Sequence, residues 1–268
     1  MSIVISSDKH YKDIASKIRT TLGNETEYKP SEMADAILSM KNMAAEFTNI
    51  KNGFVFANNG ETVKIIGDKM YRGMFAGSNI KSFTVPENIT ELLPYTFCNS
   101  KLENITMHDN ITAIDGYCFY GCKLKSITLP KNLTDIFSYA FALVYLKDNL
   151  IIPNTVTNIY VSAFYGSDFT GIDVPSGVSK IDHNVFYWCY YLKTLILRRE
   201  ESVCTLFDTS VFTLTPIEKG TGYIYVPSAL LEQYKTTKPW SSFANQFRAL
   251  EDYTVDGTTT GEFDFSKV

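Results

Sequence analysis

IKSFTVPENITELLPYTF (residues 80–97) is followed by LENITMHDNITAIDGYCF (102–119), LKSITLPKNLTDIFSYAF (124–141), KDNLIIPNTVTNIYVSAF (147–164), FTGIDVPSGVSKIDHNVF (169–186) and LKTLILR (192–198). The position before the prolyl column falls at Val85, Met107, Leu129, Ile152, Val174 and Leu197, in steps of 22, 22, 23, 22 and 23 residues. Self-similarity at a fixed period of this length marks a solenoid, each repeat forming one coil stacked on the next. The expected fold class is therefore mainly β, with coils of about 22–23 residues.

Within a coil the apolar positions recur in register: Ile80, Phe83, Val85, Ile89, Leu92 and Phe97, then Leu102, Ile105, Met107, Ile111, Ile114 and Phe119. Phe83-Thr84-Val85 and Ile105-Thr106-Met107 alternate in the manner of a strand with one buried face. Six apolar side chains cannot offset the entropy of ordering one isolated coil. Stability requires a neighbour above and below. Pro86, Pro130, Pro153 and Pro175 end the strands, since proline has no N–H for a ladder. Asn88, Asn110, Asn132 and Gly177 follow two residues later, types that tolerate a left-handed backbone. His108 stands in for the proline in the second coil and Thr155 for the Asn/Gly in the fourth.

The flanks differ from the coils. Residues 1–45 read as an N-terminal helical oligomerisation and attachment module. Tyr11, Ile14 and Ile18 share one helical face and Met33, Ile37 and Met40 another,. Two helices this short bury little between themselves, so association with copies or docking onto something larger is expected, with a cap on the first coil as the alternative. Residues 46–79 give a hairpin about Asn58-Asn59-Gly60 and a degenerate first repeat ending at Phe75. The solenoid then runs through 80–212. Residues 213–252 form a C-terminal strand-plus-helix cap: a last strand at Tyr223–Val226, a helix capped by Ser228, and another opening at Pro239-Trp240 with Phe243, Phe247 and Leu250. The tail, 253–268, reads as a linker, a loose end or a strand for a neighbour.

Composition narrows the function. A net charge of −4 without a basic run argues against nucleic acid as the main partner,. No apolar run approaches 18 residues, so no membrane insertion is expected. The start, MSIVISSDKHYKD, shows no secretory n-region and h-region,. Five cysteines form no metal or disulfide pattern, and Cys122 and Cys189, each three residues after a columnar Phe, read as small buried thiols,. No phosphate loop, HExxH helix or GxSxG elbow is present. The three histidines sit apart in the sequence, and Asp115 with His108 or Asp182 with His183 read as solvated turn residues. A non-enzymatic chain without cofactor or metal is expected.

The LxxIxLPxxLTxIxxxAF coils resemble BspA-like (treponemal-type) leucine-rich repeats, with LKSITLPKNLTDIFSYAF matching almost position for position. GYIYVPSALLEQYKTTKPWSSFANQFRALE resembles the segment that often ends such arrays. HYKDIASKIRTTLGNETEYKPSEMADAI resembles a helical module at the front of bacteriophage tail-fibre and other virion proteins. Together these resemblances imply a leucine-rich-repeat solenoid on a phage fibre or appendage, forming a homo-oligomer, a trimer by preference, with other virion proteins. The alternative they imply is a bacterial cell-surface adhesin or interaction module.

Two surfaces are candidates for contacting a host glycan or protein. One is the outward strand row, with Thr84, Thr106 and Thr128 at its heart and Asn149, Ile151, Gly171, Asp173, Thr194 and Ile196 continuing it; its bland reading is an ordinary Thr-rich sheet face. The other is the aromatic crowd Tyr165, Tyr187, Trp188, Tyr190 and Tyr191, whose ring faces suit sugars and protein anchors and which could equally fill space between coils. Tyr95, Tyr117 and Tyr139 form a further column, read as packing.

Overall fold

The computed structural model describes residues 54–58, 62–66, 70 and 72–268. The expected N-terminal helices, with Tyr11, Ile14, Ile18, Met33, Ile37 and Met40, and the 59–60 turn lie outside the described residues.

The chain enters by an antiparallel hairpin, Phe54–Asn58 against Thr62–Ile66, whose second strand joins the solenoid in parallel at Val63↔Phe83. Most coils then contribute to two parallel ladders. The front ladder takes Ser82–Thr84 and Asn104–Thr106, and resumes with Leu150–Ile151, Gly171–Val174, Thr194–Leu197, Tyr223–Val226 and Phe247–Ala249. The third coil has no front strand, and the side ladder carries the stack across this gap. That ladder pairs Glu91–Leu92, Ala113–Ile114, Asp135–Ile136 and Asn158–Ile159 in order, and Lys180–Ile181 pairs with Thr205–Leu206 further along.

Between the ladders lies the expected core. Phe75, Phe97, Phe119, Phe141, Phe164, Phe186 and Phe212 are buried in a single file, with successive ring centroids 5.3, 5.5, 5.2, 5.7, 6.1 and 6.0 Å apart and planes within 22° of parallel. One ring per coil at the spacing of stacked strands is what a repeated Phe gives once its coil is in register. Ile105 and Met107 are only partly buried, so the second coil fits less tightly than its pattern suggests. A polar spine runs beside the rings. The Cys122 and Cys189 thiols donate to the carbonyls of Phe97 and Phe164, one coil back, at 3.0 and 3.1 Å, and the Ser167 hydroxyl donates to that of Phe141. All five cysteines are free, and burial pushes the Cys122, Cys189 and Cys204 thiols up to about 12, leaving them unreactive,.

The turns depart from expectation. Asn88, Asn110, Asn132 and Gly177 do not have positive φ; each lies inside a turn closed by a backbone bond from the third residue after the prolyl position, such as Leu133 N–H to Pro130 O. The asparagines are there for a different reason. Asn110 and Asn132 donate side-chain hydrogen bonds to Glu87 O and Asp109 O in the coil before, and Thr155 does the same to Lys131 O. His108 fills the proline position with its Nε2 2.7 Å from Pro86 O, while its Nδ1 accepts from Asn110 N–H. The left-handed residues instead flank the columnar Phe. Two before it stand Gly73, Tyr95, Tyr117, Tyr139, Ser162 and Asn184; two after it stand Gly77, Asn99, Gly121, Leu143, Gly166, Trp188 and Leu214.

The C-terminal end also corrects the sequence reading. Ser228 does not cap a helix; its N–H and hydroxyl bind the Glu251 carboxylate, and the helix Leu231–Thr236 follows a short 3-10 turn. Phe247 lies in a strand rather than on a helix, parallel to Tyr223–Val226, with the Arg248 guanidinium 4.3 Å over the Tyr223 ring. Trp240 and Phe243 close the end of the phenylalanine file against Phe212. Residues 253–268 are neither a linker nor a loose end. They form a strap, closed by a Thr254↔Phe263 bridge, that folds back over the outer face of the front sheet.

Candidate binding surface

The outward row of the front sheet runs in register on either side of the third coil. Thr84 faces Thr106, and further along Ile151, Asp173, Ile196, Tyr225 and Arg248 lie side by side. Thr84, Thr106 and Thr128 are exposed, as expected. In the other half Asn149 and Ile151 stay exposed, but the rest of the row does not. Ile196 and Tyr225 are buried with Leu250 and Phe263 beneath the strap. Gly171 is glycine because Phe265 and Asn149 sit on it: a Cβ there would lie 2.9 Å from the Phe265 ring and 2.6 Å from Asn149 Oδ1. Asp173 is paired twice with Arg198, at 2.7 Å through both Nε and Nη2, and Arg198 Nη1 donates to Thr259 O of the strap at 2.6 Å. Half of the expected flat face is therefore covered by the chain's own end.

The aromatic candidates form a second file, parallel to the phenylalanines and half-buried at the surface. Tyr95 stacks on Tyr117 at 4.8 Å and Tyr117 on Tyr139 at 4.7 Å. At the fourth and fifth coils the position two before the Phe becomes Ser162 and Asn184, and Tyr165 and Tyr187, one residue after the Phe, take over the groove. Tyr139 meets Tyr165 at 6.3 Å, and Tyr165 stacks on Tyr187 at 5.5 Å. The Arg72 guanidinium lies 4.9 Å over Tyr95 at one end. Trp188 lies across the other, 5.4 Å from Tyr165 and 5.7 Å from Tyr187, with Tyr190 6.5 Å beyond. Burial pushes the phenols of Tyr117 and Tyr165 above their ordinary range, so they remain protonated donors at neutral pH,.

This geometry changes what the rings can do. Tyr117, stacked on both sides, offers its edge and hydroxyl rather than a platform for a sugar, while Tyr165 and Tyr187 stack on each other by one face and meet Tyr139 and Trp188 at tilted angles. The open aromatic surface is at the end of the file, where Trp188, Tyr190 and Tyr191 are 37%, 48% and 56% exposed. Tyr191 makes no ring contact with the others that would fix it in the file. Trp188 itself is held at φ 64, in a column where Gly77, Gly121 and Gly166 take the same conformation without a side chain and Asn99, Leu143 and Leu214 take it with a smaller one. A bulky residue there is a genuine outlier and costs roughly 1–3 kcal/mol.

Residues 68–193 match the family model of the BspA type leucine rich repeat region, in six copies. The repeats of that segment are similar to this family. Among solved structures the chain is similar to a leucine-rich repeat protein from Bacteroides ovatus (21% identity, TM-score 0.48, covering 66% of this chain and 54% of that one). It is also similar to the leucine rich repeat protein of T. pallidum (19%, 0.49, 63% and 87%). A leucine rich cell surface protein from Faecalibacterium prausnitzii aligns at 18% identity and TM-score 0.28, over 63% of this chain and 59% of that one. The chain thus spans about half the length of the B. ovatus protein. No curated protein matches it. The matched segment holds the Phe file from Phe75 to Phe186, the Tyr file, and Trp188, Tyr190 and Tyr191.

Proposed function

We propose that the chain is a non-enzymatic interaction module of the BspA-like type, displayed at a surface, which contacts a protein partner through Trp188, Tyr190 and Tyr191. The observation that carries this reading is the tryptophan kept in a glycine conformation. Over a third of its surface lies in water, and the backbone cost offsets part of what its contacts with Tyr165 and Tyr187 contribute to folding,. Trp and Tyr together are also the residues that dominate the energetics of protein contacts. A protein fits better than a glycan because each inner ring has at least one face covered by its neighbour in the file, leaving mainly edges and phenol donors. The phage-appendage reading rests on residues 1–45, outside both the described residues and the matched segment, so the surface-module reading is preferred.

Trp188→Gly separates function from folding, since it removes the ring and relieves the backbone together. Beads coated with the chain are applied to mammalian and bacterial cells, untreated, trypsin-stripped or periodate-oxidised. Binding is expected to fall at least about tenfold on stripping and with Trp188→Gly, and to survive periodate, while the variant stays folded. Binding lost to periodate, or indifferent to Trp188→Gly, would contradict the reading. Binding confined to bacteria would restore the appendage reading.

A further inference from the structure

The strap does not seal the whole front face. Between it and the sheet lies a cleft of about 450 Å³ lined by Ile151, Ile152, Asp173, Phe265, Glu200 and Glu262. Ile151 stands 62% exposed at its mouth, an isoleucine in a row that is otherwise threonine on one side and strap-covered on the other. The cleft holds three carboxylates against one guanidinium, and that guanidinium is spent: Arg198 gives Nε and Nη2 to Asp173 and Nη1 to the strap. Glu200 accepts from the Thr259 hydroxyl, and neither it nor Glu262 has an ion-pair partner among the described residues. A metal ion does not suit the site, because no three His, Cys, Asp or Glu side chains converge among the described residues. An anion does not suit it either, with the one cation committed.

We infer that this cleft takes an arginine side chain from a partner protein. The aliphatic stem would lie on Ile151 and Phe265, replacing water on apolar surface. The planar guanidinium would reach Glu200 and Glu262, whose oxygens accept its forked N–H donors in the charge-assisted geometry that arginine satisfies and lysine does not. The strap supplies one wall, so the site exists only while the C-terminal segment is docked. It shares no residue with the aromatic file and does not depend on what that file binds.

The test uses the full chain with isoleucine methyl groups labelled for NMR, titrated with arginine amide and, separately, with citrulline amide, which has nearly the same shape without the charge. Arginine amide is expected to move the Ile151 methyl resonance saturably while citrulline amide leaves it in place. Glu200→Gln with Glu262→Gln, both at exposed positions, is expected to weaken the response about tenfold or more. The buried Ile136 methyl, on the side ladder and away from the cleft, is unchanged in the double variant and reports that the fold is intact. An Ile151 resonance unmoved by arginine amide, moved equally by citrulline amide, or equally responsive in the double variant would overturn the assignment.

Discussion

Arg198→Ala is expected to destabilise the chain by about 3–5 kcal/mol, read as a drop in the urea midpoint of the C-terminal half. The Asp173 and Arg198 side chains are 8% and 12% exposed, so removing the guanidinium leaves a carboxylate buried on the sheet with nothing to neutralise it,. The strap loses its bond to Arg198 Nη1 at the same stroke, and limited proteolysis should then cut first between residues 254 and 263, where the parent resists,. Asp173→Val combined with Arg198→Leu should recover most of the lost stability, since a buried ion pair exchanged for apolar side chains of similar size is often neutral or better. A single-variant cost under about 1 kcal/mol would place the pair with ordinary surface salt bridges and leave the strap held by Phe263 and Phe265 alone.

Phe141→Ala is expected to cost about 3–5 kcal/mol, the range for deleting a buried aromatic and leaving its cavity. Phe141 has a ring above at 5.2 Å and one below at 5.7 Å, and it is fully buried. Its neighbours are held by their own coils and cannot slide together to fill the space. Phe137 provides the comparison. It stacks on the exposed Tyr160 at 4.9 Å but is only half-buried, so Phe137→Ala should cost well under half as much. Equal losses in thermal or urea unfolding would mean that the file of rings is not the chief support of the stack.

These two residues mark the boundary of what the sequence discloses. Phe141 was legible because a repeat states the same requirement in every copy. A residue that must be apolar in each coil, at a constant offset from a strand, has one place to go. The Tyr95, Tyr117 and Tyr139 column was equally visible, but its left-handed backbone was not, since tyrosine carries no signal for positive φ. The switch of the file to Tyr165 and Tyr187 was hidden for a related reason. It crosses from one column to another, and only the three-dimensional groove shows the two columns to be equivalent. The asparagines after the prolines were seen and misjudged: their chemistry allows both a left-handed turn and a side-chain bond to the next coil, and spacing cannot choose between them. Arg198 and the strap lay beyond sequence reading altogether. A Thr-, Gly- and Asp-rich segment looks like a linker until Phe263 and Phe265 find a sheet face, and the contact joins residues 61 positions apart. The glycine that admits Phe265, Gly171, was read as one more small outward residue.

Disulfide trapping across the outer sheet face tests most directly whether successive repeats lie one above another in file. In a Cys98→Ser background, Thr84→Cys with Thr106→Cys places two thiols on register partners one strand apart, about 4.8 Å, whereas Thr84→Cys with Thr128→Cys places them two steps apart, beyond the roughly 7 Å that a disulfide can span,. The stacked arrangement predicts rapid, near-complete cross-linking of the first pair under mild oxidation and none of the second within a single chain. Failure of the first pair to close, or closure of both at similar rates, would contradict it.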